Sequence, residues 1–181
     1  GANDIDPEFL VSRRRIERLR AAAECRQPGL HLVLENVHDP HNVSAVLRTC
    51  DAVGVGGVHL VYTYEEFPKF GRTSSASAWK WLEIHQHATI QECYSALRAL
   101  GCAIYATDLS DSATSLYELD LAQPVALVFG NEHQGVSPEA SSLADGNLLI
   151  PMVGLVQSLN ISVACAVTLY EAMRQRIERG S

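Results

Sequence analysis

Short apolar runs bounded by turn-forming residues alternate along this chain with segments whose apolar positions recur at helical spacing. Leu30 to Glu35 (LHLVLE), Val58 to Tyr62 (VHLVY), Trp81 to His85, Ala103 to Thr107 (AIYAT), Val125 to Phe129 (VALVF) and Asn147 to Ile150 predict strands. Between them, Asn42 to Val53, Thr89 to Leu100 and Pro138 to Ala144 predict helices. In the first of these helices Val43, Val46, Leu47, Cys50 and Val53 fall on one face, which packs on a sheet, while Ser44, Arg48 and Asp51 share the other. There Arg48 and Asp51 have the spacing of a surface ion pair. Leu159 to Tyr170 (LNISVACAVTLY) is apolar nearly all round, predicting a helix buried on every side, in a core plus a subunit interface.

Alternation of this kind predicts a parallel sheet covered by helices on both faces, an α/β fold. Such sheets bind ligands beyond the carboxyl ends of their strands, so the segments after the strands are where chemistry is expected. Thr63 to Ser77 (TYEEFPKFGRTSSAS) is the long polar stretch and reads as a mobile loop. No repeat or domain boundary interrupts the pattern, and 181 residues with 47% hydrophobic and 19% charged content fit one domain. Gly1 to Phe9 (GANDIDPEF) reads as a cloning remnant and 10–26 as a basic N-terminal helix.

The charge balance refines this picture. A net charge of -7 argues against general affinity for nucleic acid, but nine of the fourteen basic residues lie near the ends. Arg13, Arg14, Arg15, Arg18, Arg20 and Arg26 form one cluster, and Arg174, Arg176 and Arg179 the other. Each reads either as a solvated helix face or as a local phosphate-binding patch. No apolar run is long enough to span a membrane, and the expected location is the cytoplasm. The five cysteines are never spaced C-x-x-C and read as small core residues. His38 with His41, and His85 with His87, lack acidic or thiol groups at liganding intervals, so they read as surface or loop histidines and no metal is expected.

No G-x-G-x-x-G follows the first strand, and neither G-x-x-x-x-G-K-[ST] nor G-x-S-x-G occurs, which argues against dinucleotide, nucleoside triphosphate and esterase chemistry. Three other loops stand out. After the first strand, Pro40 stiffens a loop in which Asn42 is placed to cap the next helix. Gly130 to Gly135 (GNEHQG) places Glu132 between two glycines, which suit either close approach to a ligand or a tight turn into the helix begun by Ser137 and Pro138. In PMVGLVQSLNISVA (Pro151 to Ala164) the polar groups Gln157, Ser158, Asn160 and Ser162 sit between apolar runs. Capping absorbs one of them, Ser158 being the candidate, and a ligand is a natural partner for the rest.

Asn36 to Val55 (NVHDPHNVSAVLRTCDAVGV), Leu127 to Ala140 (LVFGNEHQGVSPEA) and Ile150 to Arg176 (IPMVGLVQSLNISVACAVTLYEAMRQR) together resemble the sequence motifs of the SpoU/TrmH family of RNA ribose 2'-O-methyltransferases, within the SPOUT superfamily. PHN-x-[SG]-A-x-x-R, G-x-E-x-x-G and IPM followed by SLN-x-S occur in the family's order and spacing, and the resemblance runs from about Arg13 to Arg179. It implies a parallel-sheet Rossmann-like domain with a deep C-terminal trefoil knot, a rare exception to unthreaded chains. It implies S-adenosylmethionine as cofactor, contacted at Thr107, Gly130, Ile150 and Leu159, and a homodimer packed through the terminal helices. The catalytic arginine it implies is Arg48, with Asn42, Glu132, Ser158 and Asn160 around it. The substrate it implies is RNA, the match being best to the branch that methylates guanosine 18 in the D-loop of tRNA. Methylation of ribosomal RNA or another tRNA position, and a non-catalytic RNA-binding module, are the alternatives.

Overall fold

The computed structural model describes residues 13–68 and 81–180. Its strands are β1 (Gln27–Glu35), β2 (Val55–Val61), β3 (Ile84–His87), β4 (Ala103–Thr107), β5 (Thr114–Ser115), β6 (Val125–Phe129) and β7 (Gly146–Leu149), ordered β3-β2-β1-β6-β4-β7-β5. Every pairing is parallel. The helices are α1 (Arg13–Glu24), α2 (Pro40–Val53), α3 (Ile90–Ala99), α4 (Pro138–Leu143) and α5 (Ile161–Arg179).

Both faces of the central strands are covered, which is why β6 reads as an unbroken apolar run with all five residues buried. On one face Leu30, Leu32, Leu34, Leu127 and Phe129 meet α2 and α5 through Val43, Val46, Leu47, Cys50, Cys165 and Leu169. On the other, Val33, Val61, Ile104 and Val128 meet α3 and α4 through Ile90, Cys93, Tyr94, Leu97 and Ala140. Each fully buried leucine contributes about 1.5–3 kcal/mol relative to exposure, so the two layers together hold the sheet.

Helix ends differ from the sequence reading in two places that matter. The cap of α2 is Asp39, whose side chain accepts from the His41 N–H, and Pro40 opens the helix; Asn42 lies inside it and is buried. The cap of α5 is Asn160 rather than Ser158, accepting from Ser162 N, and the helix extends to Arg179. In both cases an amide was predicted in one role and serves in another. α2 ends at Gly54, whose φ of 81° is left-handed and whose N–H bonds the carbonyls of Cys50 and Asp51.

The predicted strand at Trp81 to His85 is found at Ile84–His87, and β5 with the short 3-10 turn Leu116–Glu118 had no prediction. Of the predicted mobile loop, 69–77 lies outside the described residues, as do 1–12. Cys50, Cys93, Cys102 and Cys165 are buried as the cysteine reading expects, while Cys25 is exposed. The two arginine clusters separate. Arg176 is buried and donates to the carbonyls of Leu121, Gly29 and Gln123. Arg174 pairs with Glu171 and Glu178, and Arg179 with Asp120. In α1 no residue is buried, and none of its arginines pairs with a carboxylate among the described residues.

Candidate active site

The carboxyl ends of β1, β6, β4 and β7, adjacent in the sheet, open on a cleft of about 940 Å³. Its walls are the segments that follow those strands together with the start of α5. This is the position that parallel-sheet topology reserves for ligands.

Glu132 is the hub. Its carboxylate accepts from the His38 N–H at 3.1 and 3.0 Å, from the Asp39 N–H at 3.2 Å and from the Asn42 side-chain amide at 3.4 Å. Burial opposes its charge, but the donors, led by the His38 N–H, outweigh that and hold its carboxyl below the usual range. Asn42 in turn accepts from the Asn160 amide at 3.2 Å, and Asn160 Oδ1 accepts from Ser162 N at 2.9 Å and Ser162 Oγ at 2.6 Å. A single polar line therefore runs from the loop after β6, through the first turn of α2, to the cap of α5.

The loops are held by groups the sequence reading passed over. Buried Glu35 accepts from Ser137 N and Ser137 Oγ, both at 2.7 Å, fixing the start of α4 against the end of β1. Asn131 donates to the Asn36 carbonyl at 2.9 Å and accepts from the N–H groups of His133 and Gln134, shaping the turn of GNEHQG. Asn36, at φ 52°, accepts from three successive N–H groups, Thr63 to Glu65. A buried Glu and two Asn at strand ends were the available signals, because each needs a partner when buried.

Of the residues singled out from the sequence, Asn42, Glu132, Ser158, Asn160, Thr107, Gly130, Ile150 and Leu159 all line this cleft. Arg48 does not. It is exposed on α2, and the ion pair with Asp51 that its spacing suggested is not formed. The four polar groups of PMVGLVQSLNISVA divide three ways: Asn160 and Ser162 form the α5 cap, Ser158 lines the cleft and Gln157 is exposed beside it.

With this geometry in view, comparison with known proteins is consistent across sequence and structure. Residues 29–170 match the family model described as the SpoU rRNA methylase family. A tRNA (guanosine(18)-2'-O)-methyltransferase of Thermus thermophilus is 49% identical over 168 residues, spanning 93% of this chain and 84% of its own. The crystal structure of the TrmH/SpoU tRNA modifying enzyme of A. aeolicus superposes with a TM-score of 0.85 at 41% identity, covering 92% of this chain and 85% of that one. The SpoU methyltransferase AviRb of Streptomyces viridochromogenes, in complex with AdoMet, superposes with a TM-score of 0.72 at 29% identity, covering 87% and 61%. The chain belongs to the SpoU rRNA methylase family.

Proposed function

We propose that this protein transfers a methyl group from S-adenosylmethionine to a ribose 2'-hydroxyl of RNA, its target being guanosine 18 in the D-loop of tRNA. The observation that carries the reading is the Glu132, Asn42, Asn160 line joining all three motif loops at one cleft. Likeness to a relative named for guanosine 18 supports the choice of nucleotide. The family description favours a second reading, methylation of ribosomal RNA.

The cleft suits the cofactor. Its volume falls within the range of small-molecule sites, and Leu109, Ile150, Met152 and Leu159 give it apolar wall. Gly130, Ile150 and Leu159 lie just outside the strands and α5, where main-chain groups are available to a ligand, and Thr107 closes β4 beside them. S-adenosylmethionine, when bound, supplies an electrophilic methyl group on a sulfonium, so departure of the neutral thioether needs no acid from the protein.

What the protein must provide is a better nucleophile. A ribose hydroxyl is weak until its proton is removed or its oxygen polarised. Arginine stays protonated in proteins, so Arg48 serves as a cation that holds the RNA phosphate and stabilises charge developing on the 2'-oxygen. Its exposed place on α2 suits a group that meets RNA from outside. Asn42 and Asn160 orient each other and the hydroxyl, Glu132 fixes Asn42, and Ser158 offers a further polar contact. Arg14, Arg15, Arg18 and Arg20 of α1, which pair with no carboxylate among the described residues, line a groove with Arg26, Asp51 and Trp81, and this basic face suits the RNA backbone despite the acidic total.

Three further features belong to the same reading. After β7 the chain returns to α5, which packs with α2 over the face that β1 and β6 share, a course that supports a C-terminal trefoil knot. Val163, Tyr170 and Ile177 are exposed on α5, supporting a homodimer. No helix among the described residues is long and apolar enough to cross a membrane, in keeping with action on cytoplasmic tRNA.

The test is to incubate the protein with bulk RNA and labelled cofactor and to map the methylated nucleotide. Label at tRNA guanosine 18, and none on transcripts lacking it, is expected; label in ribosomal RNA alone would shift the assignment to the second reading. Arg48→Ala should keep cofactor binding within about twofold while lowering turnover on the order of a hundredfold or more. Near-normal turnover would remove Arg48 from the chemistry.

A further inference from the structure

A second concentration of chemistry lies away from the cleft, towards the β3 edge of the sheet. His31 on β1, His59 on β2 and His87 on β3 form a hydrogen-bonded line under the face that α3 covers. His87 Nε2 is 2.9 Å from His59 Nδ1, His59 Nε2 is 3.0 Å from His31 Nδ1, and His31 Nε2 is 3.0 Å from the Pro28 carbonyl. A carbonyl only accepts, so the proton at that end sits on His31 Nε2, and the Nδ1 of this neutral ring is an acceptor. His59 Nε2 must then be the donor, which leaves His59 Nδ1 as a lone pair turned towards His87. The direction of the whole line follows from one backbone oxygen.

The line is built into the sheet. A Cβ on Gly57 would stand 2.8 Å from His31 Nδ1 and 3.3 Å from His59 Nε2, so the absence of a side chain there makes room for both rings. The rings of His59 and His87 lie within 18° of parallel. From above, the first turn of α3 brings in Cys93, and the ligand atoms of His59, His87 and Cys93 all lie within 4.8 Å of one another. His59 and Cys93 are buried and His87 is half-buried, so the group is reached from the His87 side.

We propose that His59 Nδ1, His87 Nε2 and the Cys93 thiolate bind a divalent transition-metal ion of the zinc class, with water completing a fourth position. On binding, the Cys93 S–H bond breaks, its proton leaves to solvent and an S–metal bond forms. His87 moves its proton from Nε2 to Nδ1, and nothing is oxidised or reduced. Two imidazole ligands at 2.0–2.1 Å from a tetrahedral ion stand about 3.3 Å apart, so the His59 and His87 pair need open by only a few tenths of an ångström. Thiolate with imidazole selects zinc-like ions over magnesium or calcium. His31 and the Pro28 carbonyl become the outer partners that fix the tautomer and orientation of His59. His85, stacked over His59, instead bonds Glu83 and stays outside the ligand set. Sequence spacing concealed the site because Cys93 follows His87 by six positions through a turn, and His59 comes from another strand.

The site is tested by titrating chelator-treated protein with Co²⁺, in a Cys25→Ser background that removes the exposed thiol. One ion per chain is expected, with a thiolate charge-transfer band in the near ultraviolet, displacement by Zn²⁺ and a rise in Tm when Zn²⁺ is present. Cys93→Ala should abolish the band, and His87→Ala should weaken binding by about 10–100-fold, with circular dichroism showing each variant folded. No thiolate band in the folded parent, a band that survives Cys93→Ala, or an affinity untouched by His87→Ala would each overturn the proposal.

Discussion

Glu132 shows how one side chain can be legible in type yet not in partner. A carboxylate between two glycines after a strand invites a functional reading, but the donors that hold it come from His38, Asp39 and Asn42, at least 90 positions earlier in the chain. The Asn160 amide finds Asn42 across 118 positions. Nothing local encodes such pairings, which is why Asn42 and Ser158 were assigned cap roles that fall to Asp39 and Asn160. The sign of the Glu132 shift gives a pH test. Its folded pKa lies below the ordinary unfolded value, so the stability it contributes is fully present above the unfolded pKa and is lost as pH falls through the folded pKa. Glu132→Gln should therefore cost about 1 kcal/mol at neutral pH, a charged-acceptor value discounted for partial exposure. The difference in Tm between parent and variant should fade as the pH falls through the lowered pKa of Glu132. A difference that persists unchanged at low pH would mean that the charge is not what the donors hold.

Among the elements, β4 and β6 were predicted to the residue, because an apolar run flanked by turn residues has few other readings. β1 and β2 each begin three positions earlier than predicted, since pairing with each other extends them past the apolar run to Gln27 and Val55. β5 has two residues and exists only by pairing with β7, so no periodicity could announce it. The loop Gly130 to Gly135 resolves the choice left open between ligand approach and tight turn. A Cβ on Gly130 would lie 2.3 Å from backbone atoms of Gly135 and Val136, and Gly135 itself has φ 70°. The turn alone therefore requires both glycines, and the cleft inherits the shape. Gly130→Ala must push the loop open, carrying Glu132 with it. Calorimetry should show S-adenosylmethionine binding at least about tenfold weaker, with a lowered Tm, because a backbone clash has no flexible neighbour to absorb it. Binding at parent strength would show that the loop shape does not govern the cofactor site.

For the molecule as a whole, the helix that looked apolar on every side has one side unfilled. Cys165, Leu169 and Ala172 of α5 enter the core, while Val163, Tyr170 and Ile177 recur at seven-residue intervals on the exposed side. Nearby in sequence, Val153 and Leu155 are fully exposed, in the segment that also lines the cleft through Met152 and Ser158. A monomer keeps such surface in water at a cost of roughly 25 cal/mol for each Å² left uncovered, and the homodimer proposed above would cover it by pairing two copies through α5. It also places the interface next to the cleft, because Asn160 caps the very helix that would pair. A charge on the stripe should therefore act on both assembly and site. Tyr170→Lys with Ile177→Asp is expected to convert a dimer into a folded monomer by sedimentation, and to reduce methyl transfer more than the distance of these residues from the cleft alone would suggest. If the double variant sediments as the parent does, the apolar stripe serves something other than self-association, and the dimer must be built elsewhere.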